Sequence, residues 1–225
     1  MNRRDALRAL GALGLTACDS GRPKSGVLGI MERWNRGAQR VLFGTSGELV
    51  GGELSPETMF PVYYASPHLP IAPPGWRLKI GGNVERPAEL TLDQLMQLSR
   101  TDLRIEHHCV EGWSATADWH GVQLAEVARM VGARPGDYVE FRSFDDGYWS
   151  SWDRDSALHP QTLLAYGMNG HPLAPEHGAP VRLYGGLKLG YKQVKYLTEV
   201  NFVDHIDEAT GGYWEAQGYE WYAGT

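Results

Sequence analysis

The chain has 225 residues, enough for one large domain or two small ones, and its 42% hydrophobic and 21% charged content is that of an ordinary globular protein. A formal net charge of −6 leaves no general positive surface for a phosphate backbone and so argues against nucleic acid as a partner. The 8 Trp and 11 Tyr favour extended structure and a ring-lined cleft, while 28 Gly and 13 Pro imply many turns.

The N-terminal residues read as a processing segment. Met1-Asn2-Arg3-Arg4-Asp5 is basic, and Ala6 to Ala17 is a small, apolar run broken by Arg8. That run is shorter than the ~20 residues a membrane-spanning helix needs. The Arg3-Arg4 pair resembles a twin-arginine (Tat) export signal, although Ala6 stands where that pattern has a strongly apolar residue. Leu15-Thr16-Ala17-Cys18 resembles a bacterial lipoprotein cleavage box. The expectation is an export signal over 1–17, a tether over 18–29 starting at lipid-modified Cys18, and one domain over 30–225. This would place the protein in the periplasm or on the outer face of the cytoplasmic membrane. A frayed amphipathic helix is the plainer alternative for the same residues.

Further along, a short helix is expected over Met31–Gln39, then an extended Arg40–Phe43 and a loop over Gly44–Gly52. Phe60–Tyr64 reads as an edge strand, because Pro61 cannot donate to a ladder. Pro67, Pro70, Pro73 and Pro74 make a rigid irregular loop before the alternating strand Trp76–Ile80, which ends in Gly81-Gly82. Leu92, Leu95, Met96 and Leu98 have helical spacing behind a Thr91 N-cap. Leu103–His107 alternates as a strand running into Cys109, a second helix covers Leu124–Val131 and stops at Gly132, and Tyr138–Arg142 is another strand. Asp145–Trp149 is a polar-aromatic loop, and Ala179–Tyr184 and Gln193–Val203 supply the last strands. Many short strands with few helices give an α+β fold class with mixed sheets.

Cys109 lies in His107-His108-Cys109-Val110-Glu111-Gly112-Trp113, and it and Cys18 are too differently placed to suggest a disulfide. A cysteine entering a glycine-containing turn presents its sulfur at a loop, where it can serve as a soft metal ligand, a nucleophile or an inert small residue. Protein side chains alone make a poor metal site here, since the next histidine is His120 and no second cysteine is near. A Cys-His hydrolase has histidines available but no nucleophile signature.

Cys109-Val110-Glu111-Gly112-Trp113-Ser114, followed by Trp119-His120-Gly121-Val122, resembles the molybdenum-binding segment of the sulfite oxidase family. The likeness is closer to its exported bacterial branch, the methionine sulfoxide reductase catalytic subunits. Leu163–Gly170, His177–Leu183 and Gly190–Leu197 are similar to that family's cofactor-binding run, and Ser66–Pro70 and Trp76–Gly82 to its earlier blocks. The resemblance spans roughly Phe60 to Asp204 and implies a sulfite-oxidase-type fold that binds a molybdenum–molybdopterin cofactor. It implies Cys109 as the metal ligand and catalytic residue. It also implies cofactor contacts from Ser66, His68, Asp145, His177, Arg182, Lys192, Gln193 and Lys195. The chemistry agrees, since Arg182, Lys192 and Lys195 are basic groups able to make charge-assisted bonds to a phosphate, and Gly185, Gly186 and Gly190 permit close backbone approach.

Sulfite oxidases carry pocket arginines where this chain has Ser66 and Trp113, so a neutral, sulfoxide-like small substrate is expected over sulfite. Trp113, Trp119, Tyr148, Trp149 and Trp152 are available to line an aromatic pocket, and Arg104, Arg142 and Arg154 to reach it. No Cys-x-x-Cys-His haem motif is present. Electrons are therefore expected from a separate partner, such as a haem protein, a cytochrome or a quinone-linked membrane subunit. Two readings of other kinds stay open: a cofactor-free binding lipoprotein on the same scaffold, and a hydrolase that uses Cys109.

Overall fold

The computed structural model describes residues 52–206 and 211–225, together with helical Ile30, Met31, Trp34 and Ala38. The export signal, the tether with Cys18, the extended Arg40–Phe43 and nearly all of the following loop lie outside the described residues, as does most of the expected Met31–Gln39 helix.

Among the described residues ten strands form two sheets. The first has the order β2-β1-β10-β5-β6, from β1 (Leu78–Gly82), β2 (Ala88–Leu90), β5 (Tyr138–Ser143), β6 (Trp149–Asp153) and β10 (Leu197–Val203). The second runs β3-β4-β7, from β3 (Arg100–His108), β4 (Ser114–Gln123) and β7 (Thr162–Met168). On its far side β7 pairs with both β8 (His171–Pro172) and β9 (Arg182–Gly185). Pairing is antiparallel except for β1 with β10, so the sheets are mixed as expected. Among the described residues no helix is long and apolar enough to cross a membrane.

The helices are short and end where their residues dictate. Helix α1 (Leu92–Met96) starts with a capping box in which the Thr91 hydroxyl accepts from the Gln94 amide and the Gln94 side chain accepts from the Thr91 amide. Helix α2 (Leu124–Val131) stops at Gly132, whose φ of +64° is the left-handed conformation that lets its amide reach back to the last turn. Its Leu124, Val127, Ala128 and Val131 are buried between the sheets, each large aliphatic group contributing about 1.5–3 kcal/mol. Helix α3 (Arg154–Ala157) is a single turn capped by Asp153.

Strand β7 is buried along its whole length, which explains why Thr162–Met168 shows no alternation. Leu164 and Tyr166 face the core shared with the first sheet, whereas Leu163 and Ala165 belong to a second core on the opposite face. That second face also carries Leu103 and Ile105 of β3, Ala115, Ala117 and Trp119 of β4, and Tyr184 of β9. Period-two geometry adds His107 and Arg182 to it, since each lies two residues from a member on its own strand. One face of the second sheet therefore gathers the residues around Cys109.

Three expectations are corrected. Phe60–Tyr64 forms no strand; a single 3-10 turn over Glu57–Met59 precedes it, and Phe60 is buried on the second core. Trp149, read as loop, opens β6, and the same strand buries Trp152 in the main core with its indole N–H on the Lys192 carbonyl at 2.8 Å. Tyr148 is likewise committed, its hydroxyl donating to the Tyr191 carbonyl at 2.6 Å.

Candidate functional site

Strands β3 and β4 are joined by a tight connection that puts Cys109 at the tip of the hairpin. The Cys109 amide donates to the Trp113 carbonyl and the Gly112 amide to the Cys109 carbonyl, both at 3.0 Å, with Gly112 at φ +85°. The cysteine is free and half-buried. The Glu111 carboxylate stands 4.0 Å from Sγ and also accepts from the Tyr63 hydroxyl at 2.8 Å and the Trp113 indole at 3.2 Å. Burial pushes the Cys109 thiol up, backbone donors at Glu111 and Val110 pull it down, and the Glu111 charge pushes it up again. The net shift is upward, opposite to what a free nucleophile needs, and the Glu111 carboxylate lies beside the sulfur. Among the described residues no histidine is bonded to the sulfur as a hydrolase base would be. A thiol of this kind gives up its proton when a cation binds it.

Behind the hairpin, aromatic rings form the floor. His107 stacks on Trp113 with centroids 5.4 Å apart and lies 5.9 Å from Tyr184, whose ring stacks on Trp119 at 3.8 Å. Burial, followed by the nearby Arg182 charge, holds the His107 imidazole down at about 3, so it is neutral at pH 7. Phe60 closes the group from above, 6.2–6.5 Å from His107, Trp113, Trp119 and His177.

Arg182 is the least ordinary member. It is buried at 7% exposure, sits over the Trp119 and Tyr184 rings at 5.1 and 5.3 Å, and donates once to the His177 carbonyl at 2.9 Å. Its Nε has no partner, and no carboxylate among the described residues pairs with it. Burial lowers its pKa only to about 10, so the charge persists. The buried Tyr196 hydroxyl and the Gln193 Oε1 are also unpartnered. A lone buried cation beside unsatisfied donors and acceptors is costly unless an anionic, hydrogen-bonding ligand completes it. Together with a soft sulfur at the hairpin tip, these residues fit a molybdopterin: a phosphate for Arg182, a hydrogen-bonding pterin for the others, and a metal for Cys109.

Lys195 is half-buried near the same group and donates to the Glu176 carbonyl at 3.0 Å. Burial, and next the Arg182 charge, draw its ammonium from 10.5 down to about 7. An unfolded lysine keeps its proton to about 10.5, so between pH 7 and 10.5 the unfolded chain binds more protons than the folded one. Stability from this site is complete above that window and is lost as the pH falls to about 7. In cofactor-free protein, the stability of wild type relative to Lys195→Met is expected to rise by roughly 1–3 kcal/mol from pH 7 to 10.5, allowing for partial exposure. Urea midpoints along the pH series test this, and a flat difference would rule the coupling out.

Other expected site residues are placed differently. Asp145, buried, accepts from the Ala65 and Ser66 amides at 2.5 and 2.7 Å and from the Ser66 hydroxyl at 2.5 Å, so Ser66 and Asp145 are together but bonded to each other. His177 is half-buried against Phe60, with its pKa lowered by burial and then by Arg182 and Lys195. His68 is exposed. Gln193 staples its own loop, donating to the Gly185 and Lys188 carbonyls at 3.0 and 2.8 Å. Lys192 is fully buried and its ammonium is bonded to Glu215. Arg104, Arg142 and Arg154 are engaged by Asp118, by Glu140 and by the Arg134 carbonyl. Sequence reasoning missed Tyr184, which its spacing from Arg182 on one strand could have revealed. It does not single out Tyr196, although Tyr196 lies within the Gly190–Leu197 run.

Comparison with known proteins agrees with this geometry. Residues 65–214 match the oxidoreductase molybdopterin binding domain family. A chain of Azospira oryzae named as a candidate protein-methionine-sulfoxide reductase subunit, YedZ1, is 38% identical over 203 residues, covering 87% of this chain and 75% of that one. The protein-methionine-sulfoxide reductase catalytic subunit MsrP of Xanthomonas axonopodis pv. citri is 38% identical over 149 residues, covering 59% of this chain and 46% of its own. This chain therefore spans about half of that relative's length. The sulfane dehydrogenase SoxCD of Paracoccus pantotrophus superposes with a TM-score of 0.56 at 24% identity, over 59% of this chain and 39% of that one, which speaks to the fold alone.

Proposed function

Because this chain belongs to the oxidoreductase molybdopterin-binding domain family, we propose that it is a molybdopterin enzyme that removes the oxygen of a neutral sulfoxide, with protein-bound methionine sulfoxide as the leading substrate class. The observation that carries the choice is the mouth at Cys109, where the Glu111 carboxylate gathers the Tyr63 hydroxyl and the Trp113 indole beside the sulfur. A carboxylate 4.0 Å from the sulfur repels an anion such as sulfite, while indole and phenol rings suit a neutral thioether oxide.

When bound, the molybdenum cofactor supplies oxygen-atom and two-electron exchange with the substrate. The protein holds and shapes. Cys109 ligates the metal from the hairpin tip, Arg182 and Lys195 neutralise the phosphate, and Tyr196 and His177 meet the pterin. Phe60 and Trp113 keep water from the face where substrate lies. The balance is sulfoxide plus two protons and two electrons giving thioether plus water, the electrons arriving from a separate redox protein.

The test is protein produced in a molybdopterin-competent host, assayed for molybdenum and pterin and then for dye-driven reduction of methionine sulfoxide and for sulfite oxidation. Stoichiometric metal and pterin with sulfoxide turnover is the expected result. Well-folded protein lacking both would sink the assignment, and sulfite turnover exceeding sulfoxide turnover would sink the substrate class.

A further inference from the structure

The glycine loop between β9 and β10 rests directly on the strand that carries the cysteine. A methyl group at Gly186 would come within 2.9 Å of Ile105 Cγ2, and one at Gly190 within 2.6 Å of His107 Nε2. Those are the last two inward positions of β3 before Cys109, so the place of the loop fixes the place of the hairpin. Apart from a 3-10 turn over Gly190–Lys192 the loop has no regular structure of its own.

Beside Gln193, Trp152 and Tyr148, which bond its backbone, the loop is anchored along its outer side by the segment 211–225. The Leu189 amide donates to the Ala223 carbonyl at 2.9 Å, and the Thr225 amide and hydroxyl reach the Leu187 and Gly186 carbonyls at 3.2 and 2.7 Å. Lys188, at 2% exposure, donates to the Tyr222 carbonyl at 2.8 Å and to Asp153 at 2.9 Å. Lys192, wholly buried, is held by Glu215, itself at 3% exposure. A buried ion pair gains little net stability over apolar side chains, yet its directional bonds restrict geometry.

We infer that residues 211–225 form a strap, with Glu215 as a positioning residue that acts through Lys192 to seat the glycine loop beneath the Cys109 hairpin. The family match ends at residue 214, so Glu215 and the rest of the strap's anchors lie beyond the shared domain. The structural claim stands on these contacts, and its consequence for cofactor retention rests on the function proposed above.

Hydrogen exchange on the full chain, with and without cofactor, tests it in Glu215→Gln and in the double variant Lys192→Met/Glu215→Leu. The double variant leaves no lone buried charge, and so keeps the test open if the single variant fails to fold. The expected result is exchange at least about tenfold faster at the Leu189, Lys192 and Cys109 amides, with the Leu95 amide of α1 unchanged, because opening is local. Retention of molybdenum and pterin is expected to fall by about tenfold or more, as for other groups that orient ligands. Wild-type exchange at the loop and hairpin would overturn the inference, as would acceleration that includes Leu95 to the same degree. A wild-type protein that carries no molybdenum would defeat the functional reading alone, since the exchange result would still decide the strap.

Discussion

Cys109→Ser is expected to leave a folded protein that retains pterin and loses sulfoxide turnover by more than about 100-fold, exceeding the usual effect of altering a group that merely supports a ligand. The hairpin tip supports this split. Cys109 is half-buried, and its backbone bonds to Trp113 and Gly112 do not involve the sulfur, so stability should move by only about 0.5 kcal/mol. The residues proposed to meet the pterin and phosphate lie on β9, the turn at His177 and the segment before β10, none of which the substitution touches. A serine hydroxyl, unlike the thiol, does not ionise beside Glu111 to give a soft anionic ligand. The measurements are the molybdenum-to-pterin ratio and turnover with methionine sulfoxide. Activity within about tenfold of wild type would show that the sulfur is not the ligand.

How far the sequence reached differs between the scaffold and the site. Helix α2 was legible to the residue, because its apolar spacing ends at a glycine, and α1 was legible from Thr91. Strand β3 was visible through alternation, since one side of it faces solvent. Strand β7 was not, because it is covered on both faces and its pattern is a plain apolar run. Phe60 was misplaced for a related reason: a proline-flanked aromatic run suits an edge strand locally, and only the tertiary cage of His107, Trp113, Trp119 and His177 makes it a plug. The basic residues show the limit most clearly. Arg182, Lys192 and Lys195 look alike in the sequence, yet Lys192 meets Glu215 from a segment 23 residues away, whereas Arg182 meets no carboxylate among the described residues. Charge is written in the sequence; the partner of a charge is a property of the fold.

That distinction gives the second large expected effect. Arg182→Met should make the cofactor-free protein more stable and the loaded protein less so. In the cofactor-free state the guanidinium is buried with an unsatisfied Nε and no opposing carboxylate among the described residues, an arrangement that costs about 1–3 kcal/mol. Methionine keeps an unbranched stem over the Trp119 and Tyr184 rings and removes the charge, so the melting temperature should rise by about 2–4 °C per kcal/mol recovered. In the loaded state the same change strips a buried phosphate of its charged partner, a loss of about 2–5 kcal/mol, or roughly 30-fold to several thousand-fold in retention. Arg182→Lys should fall between, since the charge survives but the planar fork does not. Melting curves of both states, together with pterin retention through gel filtration, read the two signs separately. A core residue with no ligand role would shift both states in the same direction. Equal destabilisation of the free and loaded forms would therefore remove Arg182 from the cofactor site, and opposite shifts would place it there.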